Sequence, residues 1–326
     1  MMKWGILATG TIAAKFADTV NQMEKEQVLA ACASRTMEKA EAFRERFGIA
    51  RAYDSYEAMV RDPEVEAVYI ATPNNLHYEN CVMCLEAGKH VLCEKPFTTA
   101  REEGEKLFAL AEEKGLFIME AFWIRFLPAL QKMQELIHSG MIGDVVWARS
   151  DYGFVAKGAR KDRKFDSALA GGALLDIGIY NLGFMRMVMG DAQPESFDSQ
   201  YHINEYGTDD FSTILLRYPG GRSACVTTSI GMDMPRRAVV YGTKGSICLD
   251  DFQHAEKLHV KLADGTEDTI ELPEEINGFE YQIREAERCV KAGMTTSDVL
   301  KKSDTLEILE LMDQIRKSWG MRFACE

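Results

Sequence analysis

The first third of this chain alternates short, wholly apolar runs with longer amphipathic ones, and few architectures accept that rhythm. The apolar runs are KWGILA, VLAACAS, AVYIAT, HVLCE and LFIMEAF. Between them lie TIAAKFADTVNQM, MEKAEAFRERF, SYEAMVRD, NLHYENCVMCLEAG and AREEGEKLFALAEEKG, whose apolar residues recur at helical spacing. A strand that is apolar on both faces must be covered on both, and an amphipathic helix between successive strands provides the cover. The pattern predicts an α/β fold: a doubly wound parallel sheet with helices on both faces.

After about Glu120 the rhythm changes. LPALQKMQELIHSG predicts a helix ended by Gly140, and VVWARSDYGF a strand. Another helix begins in GGALLDIGIY. Strand-like runs then follow one another: SFDSQYHIN, FSTILLRYPGGRSACVTTSI, RRAVVYGTKGSICLD and KLHVKLADGTEDTIEL. Pro219-Gly220-Gly221 and Ala263-Asp264-Gly265 mark hairpin turns. A chain of 326 residues, at roughly 100–200 per domain, is expected to form two domains. Residues 1–121 make the first. Residues 122–326 make an α+β second domain with a large, mainly antiparallel open sheet, and a closing helix near 299–319 packs back on the first.

The formal net charge is -13 and there is no basic block, which argues against nucleic acid and anionic membrane surfaces as partners. No run approaches ~20 apolar residues, so no membrane span is expected. MMKWGILATG enters a strand directly, without a signal-peptide layout, and a cytoplasmic protein is expected. The eight cysteines are scattered, as suits reduced thiols. Cys81 and Cys84 form a C-x-x-C inside a helical pattern, with no second pair at zinc spacing, so a core role is expected. The six histidines and the acids do not cluster as metal ligands, and no metal is expected.

The first strand runs into Ala8-Thr9-Gly10-Thr11-Ile12-Ala13 and then a helix. This departs from G-x-G-x-x-G/A at its first position, where Ala8 stands for Gly. Gly10 keeps the position whose missing side chain lets backbone approach a pyrophosphate, and Ala13 is small enough for helix–strand packing. The helix start offers unpaired N–H groups and a favourable dipole to phosphates. Within a βαβ unit, this predicts a Rossmann dinucleotide site; an ordinary tight turn is the alternative. The second strand ends at Ser34-Arg35-Thr36, where an NAD site usually places an acid. A guanidinium and two hydroxyls suit a 2′-phosphate, so NADP is expected, with NAD the alternative.

Two further strand ends carry polar groups: IATPNNLHY (Ile70–Tyr78) and CEKPF (Cys93–Phe97). Ligands of open α/β sheets bind outside such ends. Glu94 and Lys95 follow an apolar strand directly, and the Lys95–Pro96 bond is a candidate for the cis isomer. In GGALLDIGIY, Asp176 and Tyr180 share one helical face in an otherwise apolar segment. A buried polar group without a partner costs about 1–3 kcal/mol, so this pair needs partners or a task.

TPNNLHY, CEKPF and GGALLDIGIY, in that order after A-T-G-T-I-A, resemble the glucose–fructose oxidoreductase/inositol dehydrogenase family (Gfo/Idh/MocA) over essentially the whole chain. MEAFWIRFLPA (Met119–Ala129) and Tyr180 are most similar to the branch containing dimeric dihydrodiol dehydrogenase and NADP-dependent D-xylose dehydrogenase; much of the wider family has His where Tyr180 stands.

The resemblance implies hydride transfer between NADP and a sugar or diol carbon. Lys95 lies beside the nicotinamide and the substrate hydroxyl, and Asp176 and Tyr180 approach from the second domain. Tyr180 is the general base. A free tyrosine has a pKa near ~10, so it needs the Lys95 ammonium to favour its phenolate and to stabilise the alkoxide. Asp176 holds Lys95 or binds a substrate hydroxyl. Ala71, Thr72, Pro73, Asn74, His77 and Glu94 complete the cofactor set, with His77 at the nicotinamide ribose. Trp123 and Arg125 lie near the cofactor or the substrate mouth; Phe154, Phe279 and Arg163 belong to the substrate set. The family also implies a homodimer through the C-terminal sheet.

Each residue has a structural alternative. Lys95 is then a surface lysine, Tyr180 a packed tyrosine, Asp176 the partner of an arginine such as Arg163, Arg35 a solvated helix-start residue, and Trp123 core. Two other functions fit the same fold: a glycoside hydrolase that uses its dinucleotide catalytically, and an NADP-binding regulator without turnover. A pure binder has no need of Lys95, Asp176 and Tyr180 together.

Overall fold

The computed structural model describes residues 1–23, 26–157 and 163–324. The apolar runs of the first third become β1 (Met2–Leu7), β2 (Gln27–Ala33), β3 (Arg51–Tyr53), β4 (Ala67–Ile70), β5 (His90–Cys93) and β6 (Ile118–Glu120). They pair in parallel throughout, in the order β3-β2-β1-β4-β5-β6. The intervening stretches are α1 (Thr11–Gln22), α2 (Met37–Phe47), α3 (Tyr56–Val60), α4 (His77–Glu86) and α5 (Arg101–Lys114). Local chemistry sets their starts: the Thr36 side chain accepts from Lys39 N–H to cap α2, and Ser55 accepts from Ala58 N–H to cap α3. Helix α1 starts differently, as described below.

The second sheet has eight strands: β7 (Val145–Gly153), β8 (Ser196–Ile203), β9 (Asp209–Arg217), β10 (Ser223–Ser229), β11 (Ala238–Gly242), β12 (Gly245–Leu249), β13 (Lys257–Leu262) and β14 (Glu267–Glu271). Their order is β14-β13-β12-β11-β7-β10-β9-β8. The β7–β10 pair is parallel and the others are antiparallel. The two expected turns fall between β9 and β10 and between β13 and β14. Helix α6 (Pro128–His138), which has Pro in its first turn, meets β13, and α7 (Ile179–Met189) covers β7 and β10.

The chain divides into two compact units: Met1–Trp123 with Glu275–Leu309, and Ile124–Glu274 with Glu310–Glu326. The returning segment brings α8 (Phe279–Lys291) and the start of α9 (Lys302–Ser318) into the first unit. One stretch, Ser167–Met189, is long and apolar enough to cross a membrane, contrary to the expectation from composition. Its most apolar window is 83% buried within the fold, as a core helix is. Cys81 and Cys84 are buried free thiols, and Cys325 lies outside the described residues.

Candidate functional site

In the first unit the strand order reverses between β1 and β4, which makes their carboxyl ends the switch point at which such sheets bind ligands. The segment after β1 has two features that fit a dinucleotide. Ala8 has φ 78, in the left-handed region that glycine occupies at no steric cost, which explains why the G-x-G-x-x-G/A motif has glycine at its first position. Gly10 needs glycine for another reason. Its φ of -81 suits any residue, and nothing lies within 4 Å of where a Cβ would stand. What a side chain there would occupy is the space in front of α1. That helix has no capping side chain and no acid in its first turn. Thr11 is exposed, Ile12 half-buried, and Thr9 Oγ1 donates to Ser34 Oγ at 3.2 Å. Arg35 and Thr36 are exposed at the end of β2. After β4, Asn75 Oδ1 is buried without a hydrogen-bond partner among the described residues. An N–H- and hydroxyl-rich, side-chain-poor cradle of this kind fits the phosphates and ribose of a nicotinamide dinucleotide.

The loop after β5 carries the half-buried Lys95, and its bond to Pro96 is cis. Around it lies a set of buried polar groups. Glu94 accepts from Tyr69 Oη and from the Lys95 N–H. Burial raises its pKa, opposed by the positive charges of Lys95 and Lys15. Glu120, at the end of β6, accepts from Phe97 N–H at 2.9 Å and from Thr305 Oγ1 at 2.9 Å. Burial pushes its pKa up to about 7, against those two hydrogen bonds. His77 is fully buried, with Nδ1 2.8 Å from Pro96 O and Nε2 3.0 Å from Thr72 O. Thr72 also takes Asn80 Nδ2 on its hydroxyl, and Ala71 N–H donates to Leu7 O, so the β4 loop is tied to its neighbours. Pro73 opens a single helical turn, Asn74–Leu76.

Trp123 and Phe279 are both buried, with ring centroids 5.5 Å apart. The Lys15 ammonium lies 4.5 Å from one and 4.3 Å from the other. Both thus belong to an aromatic–cation cluster, with Lys15 on α1, Phe279 at the start of α8 and Trp123 just after β6.

In the second unit the D-x-G-x-Y segment is not a plain α-helix. Leu174–Gly178 is π-helical and continues into α7, so a wider turn separates Asp176 from Tyr180 than α-spacing predicts. Two glycines precede it for long-range reasons. A Cβ on Gly171 would stand 2.6 Å from Lys164 O, and Gly172 has φ 116 with Asp209 Oδ1 against it. Asp209 is fully buried; its Oδ2 accepts the Leu174 N–H at 2.8 Å, and its Oδ1 has no partner among the described residues. Burial pushes its pKa up to about 7.

Asp176 is ion-paired with Lys164, the residue next to the expected candidate Arg163. Both side chains are nearly buried, whereas Arg163 is exposed. Lys164 Nζ also lies 4.9 Å from the ring of the half-buried Phe154. Tyr152 links this cluster to Tyr180, with ring centroids 6.3 Å from Phe154 and 6.1 Å from Tyr180. Arg125 donates to Gln134 Oε1, and its carbonyl takes Gln131 Nε2. Among the described residues no cluster of three His, Cys, Asp or Glu could hold a metal.

Lys15, Tyr69, Glu120 and Thr305 in the first unit, and Tyr152, Lys164 and Asp209 in the second, were not singled out from sequence. Lys15 carried a usable signal, one helical turn beyond Thr11, and so did Glu120, an acid closing an apolar strand.

Residues 2–122 match the model of the oxidoreductase family with an NAD-binding Rossmann fold, and residues 130–248 match the GFO/IDH/MocA C-terminal domain. Trans-1,2-dihydrobenzene-1,2-diol dehydrogenase of Mus musculus is 34% identical over 333 residues, covering 99% of this chain and 98% of that protein. Among solved structures, an aldose–aldose oxidoreductase from Caulobacter crescentus, complexed with glycerol, superposes with a TM-score of 0.87 at 27% identity, covering 97% of each chain. A 3-ketoreductase from Actinomadura kijaniata, in complex with NADP and TDP-benzene, gives the same TM-score of 0.87, identity of 27% and coverage of 97%.

Proposed function

The chain belongs to the Gfo/Idh/MocA family of oxidoreductases, and from that premise we propose that it is an NADP-dependent dehydrogenase transferring hydride between the nicotinamide and a hydroxyl-bearing carbon of a sugar or diol. The observation that carries this is the convergence of four polar segments, after β1, β2, β4 and β5, on one end of a parallel sheet whose order reverses between β1 and β4. The dinucleotide, when bound, supplies the hydride acceptor. Gly10 and the start of α1 bind its phosphates, and exposed Arg35, with no acid at the end of β2, takes a 2′-phosphate.

The chain's own groups move the proton. Tyr180 accepts it from the substrate hydroxyl, Lys95 stabilises the developing alkoxide, and Asp176, ion-paired with Lys164, orients a second hydroxyl. Seven free described cysteines favour a reducing, cytoplasmic setting. A homodimer through the second sheet is supported by Val146, Leu215 and Tyr241, exposed at 36–45%, beside the stacked Trp147–Tyr241 pair.

The test is NADPH appearance with NADP+ and a panel of aldoses, inositols and trans-diols, with NAD+ as second cofactor. Tyr180→Phe and Lys95→Met are each expected to lower kcat about 100-fold or more. Near-wild-type turnover in both variants refutes the assignment.

A further inference from the structure

Lys95 projects from a loop whose backbone is held in an unusual way. Pro96 O and Phe97 N–H belong to one peptide unit. His77 Nδ1 sits 2.8 Å from its oxygen, and Glu120 Oε1 accepts from its N–H at 2.9 Å. The two groups of a trans peptide point in opposite directions, so the plane is gripped from both sides. His77, Phe97 and Glu120 are at most 2% exposed, so water does not substitute for either contact. The Pro96 O contact is a hydrogen bond when the ring proton of His77 is on Nδ1; Nε2 then faces a second acceptor, Thr72 O, at 3.0 Å and has no proton to give it unless the ring is cationic. Glu120 is braced from α9, its Oε2 taking the Thr305 hydroxyl at 2.9 Å. Neither side chain is presented to a ligand through these atoms; their polar ends are committed to the protein.

We propose that His77 and Glu120 are positioning residues for Lys95: together they fix the orientation of the Pro96–Phe97 peptide and thereby the direction in which Lys95 leaves the backbone. The inference rests on the proposed role of Lys95 in hydride transfer. A reacting group must be held to a fraction of an ångström, and a displacement of about 1 Å costs about 100-fold in rate. Turning this peptide requires both clamps to release together, which makes the loop stiffer than either contact alone would.

The experiment compares an apolar and a conservative variant at each clamp, using the full chain and the most active panel substrate. Glu120→Leu removes the acceptor, whereas Glu120→Gln keeps an oxygen for Phe97 N–H. His77→Leu removes the donor, whereas His77→Asn keeps a nitrogen near the Nδ1 position. The Leu variants are expected to lose about 10- to 100-fold in kcat with the KM for NADP+ changed less than about 3-fold, and the Gln and Asn variants to recover most of it. Thr305→Val, which loosens Glu120 without touching the loop, is expected to lower kcat several-fold and serves where a Leu variant does not fold. Full activity in the Leu variants or in Thr305→Val, a matching loss in the conservative variants, or a change confined to the KM for NADP+ overturns the proposal. Absence of turnover by the wild type overturns the functional assignment together with it. Turnover by the wild type with no kcat loss at the clamps overturns the clamp alone.

Discussion

Replacing Asp209 by Asn separates the two things its carboxyl does: it caps the segment that carries Asp176, and it hides a charge. The capping oxygen, Oδ2, accepts the Leu174 N–H at 2.8 Å, and an Asn carbonyl oxygen does the same. The charge is the expensive part. Burial lifts the carboxyl from its ordinary 3.8 to about 7, a difference of about 4 kcal/mol between its protonated and ionised forms. Below pH ~4 the group is protonated in folded and unfolded chains alike. As pH rises from there to about 7, the unfolded chain ionises and the native one does not, so unfolding is increasingly favoured. The stabilising contribution is therefore complete at low pH and lost by about pH 7.

The Asp209→Asn side chain does not titrate, and other titrating groups, Glu120 included, cancel between the two proteins. The cost of the substitution is an amide placed where Oδ1 has no partner among the described residues, about 1–3 kcal/mol. The variant is thus expected to be less stable than wild type at low pH and more stable by about 1–3 kcal/mol at pH 8. Between pH 5.5 and 8 the difference should swing by about 2 kcal/mol. Urea unfolding followed by tryptophan fluorescence reads this, since Trp147 and Trp319 both lie in the second unit. A difference constant to within about 0.5 kcal/mol across that range would show that Asp209 is ionised throughout, and would refute the reasoning.

Two substitutions in the first unit have signs that follow from backbone and charge. Ala8→Gly removes a left-handed strain of about 1–2 kcal/mol and adds about 0.5–1 kcal/mol of unfolded-state freedom, so a stabilisation of up to about 1.5 kcal/mol is expected by calorimetry. A destabilised Ala8→Gly protein would mean that the methyl packs usefully. Arg35→Asp places an acid where an exposed cation stands; the KM for NADP+ should rise about 10-fold or more while NAD+ improves, and unchanged cofactor preference would remove Arg35 from the 2′-phosphate site.

The parallel sheet was legible because its signal is local and repeated: each strand run is apolar throughout, and several helices have a start that their own residues supply, such as Thr36 and Ser55. The strand-end segments followed from the same pattern, since the carboxyl end of a strand is known once the strand is. The second unit was legible as strands and turns but not as a site. Nothing between Phe154 and Gly171 repeats, so the sequence offers no reason for Lys164, rather than Arg163, to meet Asp176. The same holds for Phe279, whose partners Lys15 and Trp123 lie far away in the chain.

The adjacent glycines of GGALLDIGIY show why such details escape a local reading. In sequence they only open a segment that reads as the start of a helix. In the fold, Gly171 is small because the Lys164 carbonyl approaches it, and Gly172 because its φ is 116 and the Asp209 carboxyl lies against it. The Gly172 N–H donates to that same Lys164 carbonyl at 2.7 Å, so one residue holds the turn with its backbone and Asp176 with its side chain. Thr208, beside Asp209, donates its hydroxyl to Phe165 O and ties β9 to the same segment. The orientation of Asp176 is therefore set by residues well upstream and downstream of its own helix. A change at Lys164, Thr208 or Asp209 acts on the candidate carboxylate without altering any residue of the motif that announces it.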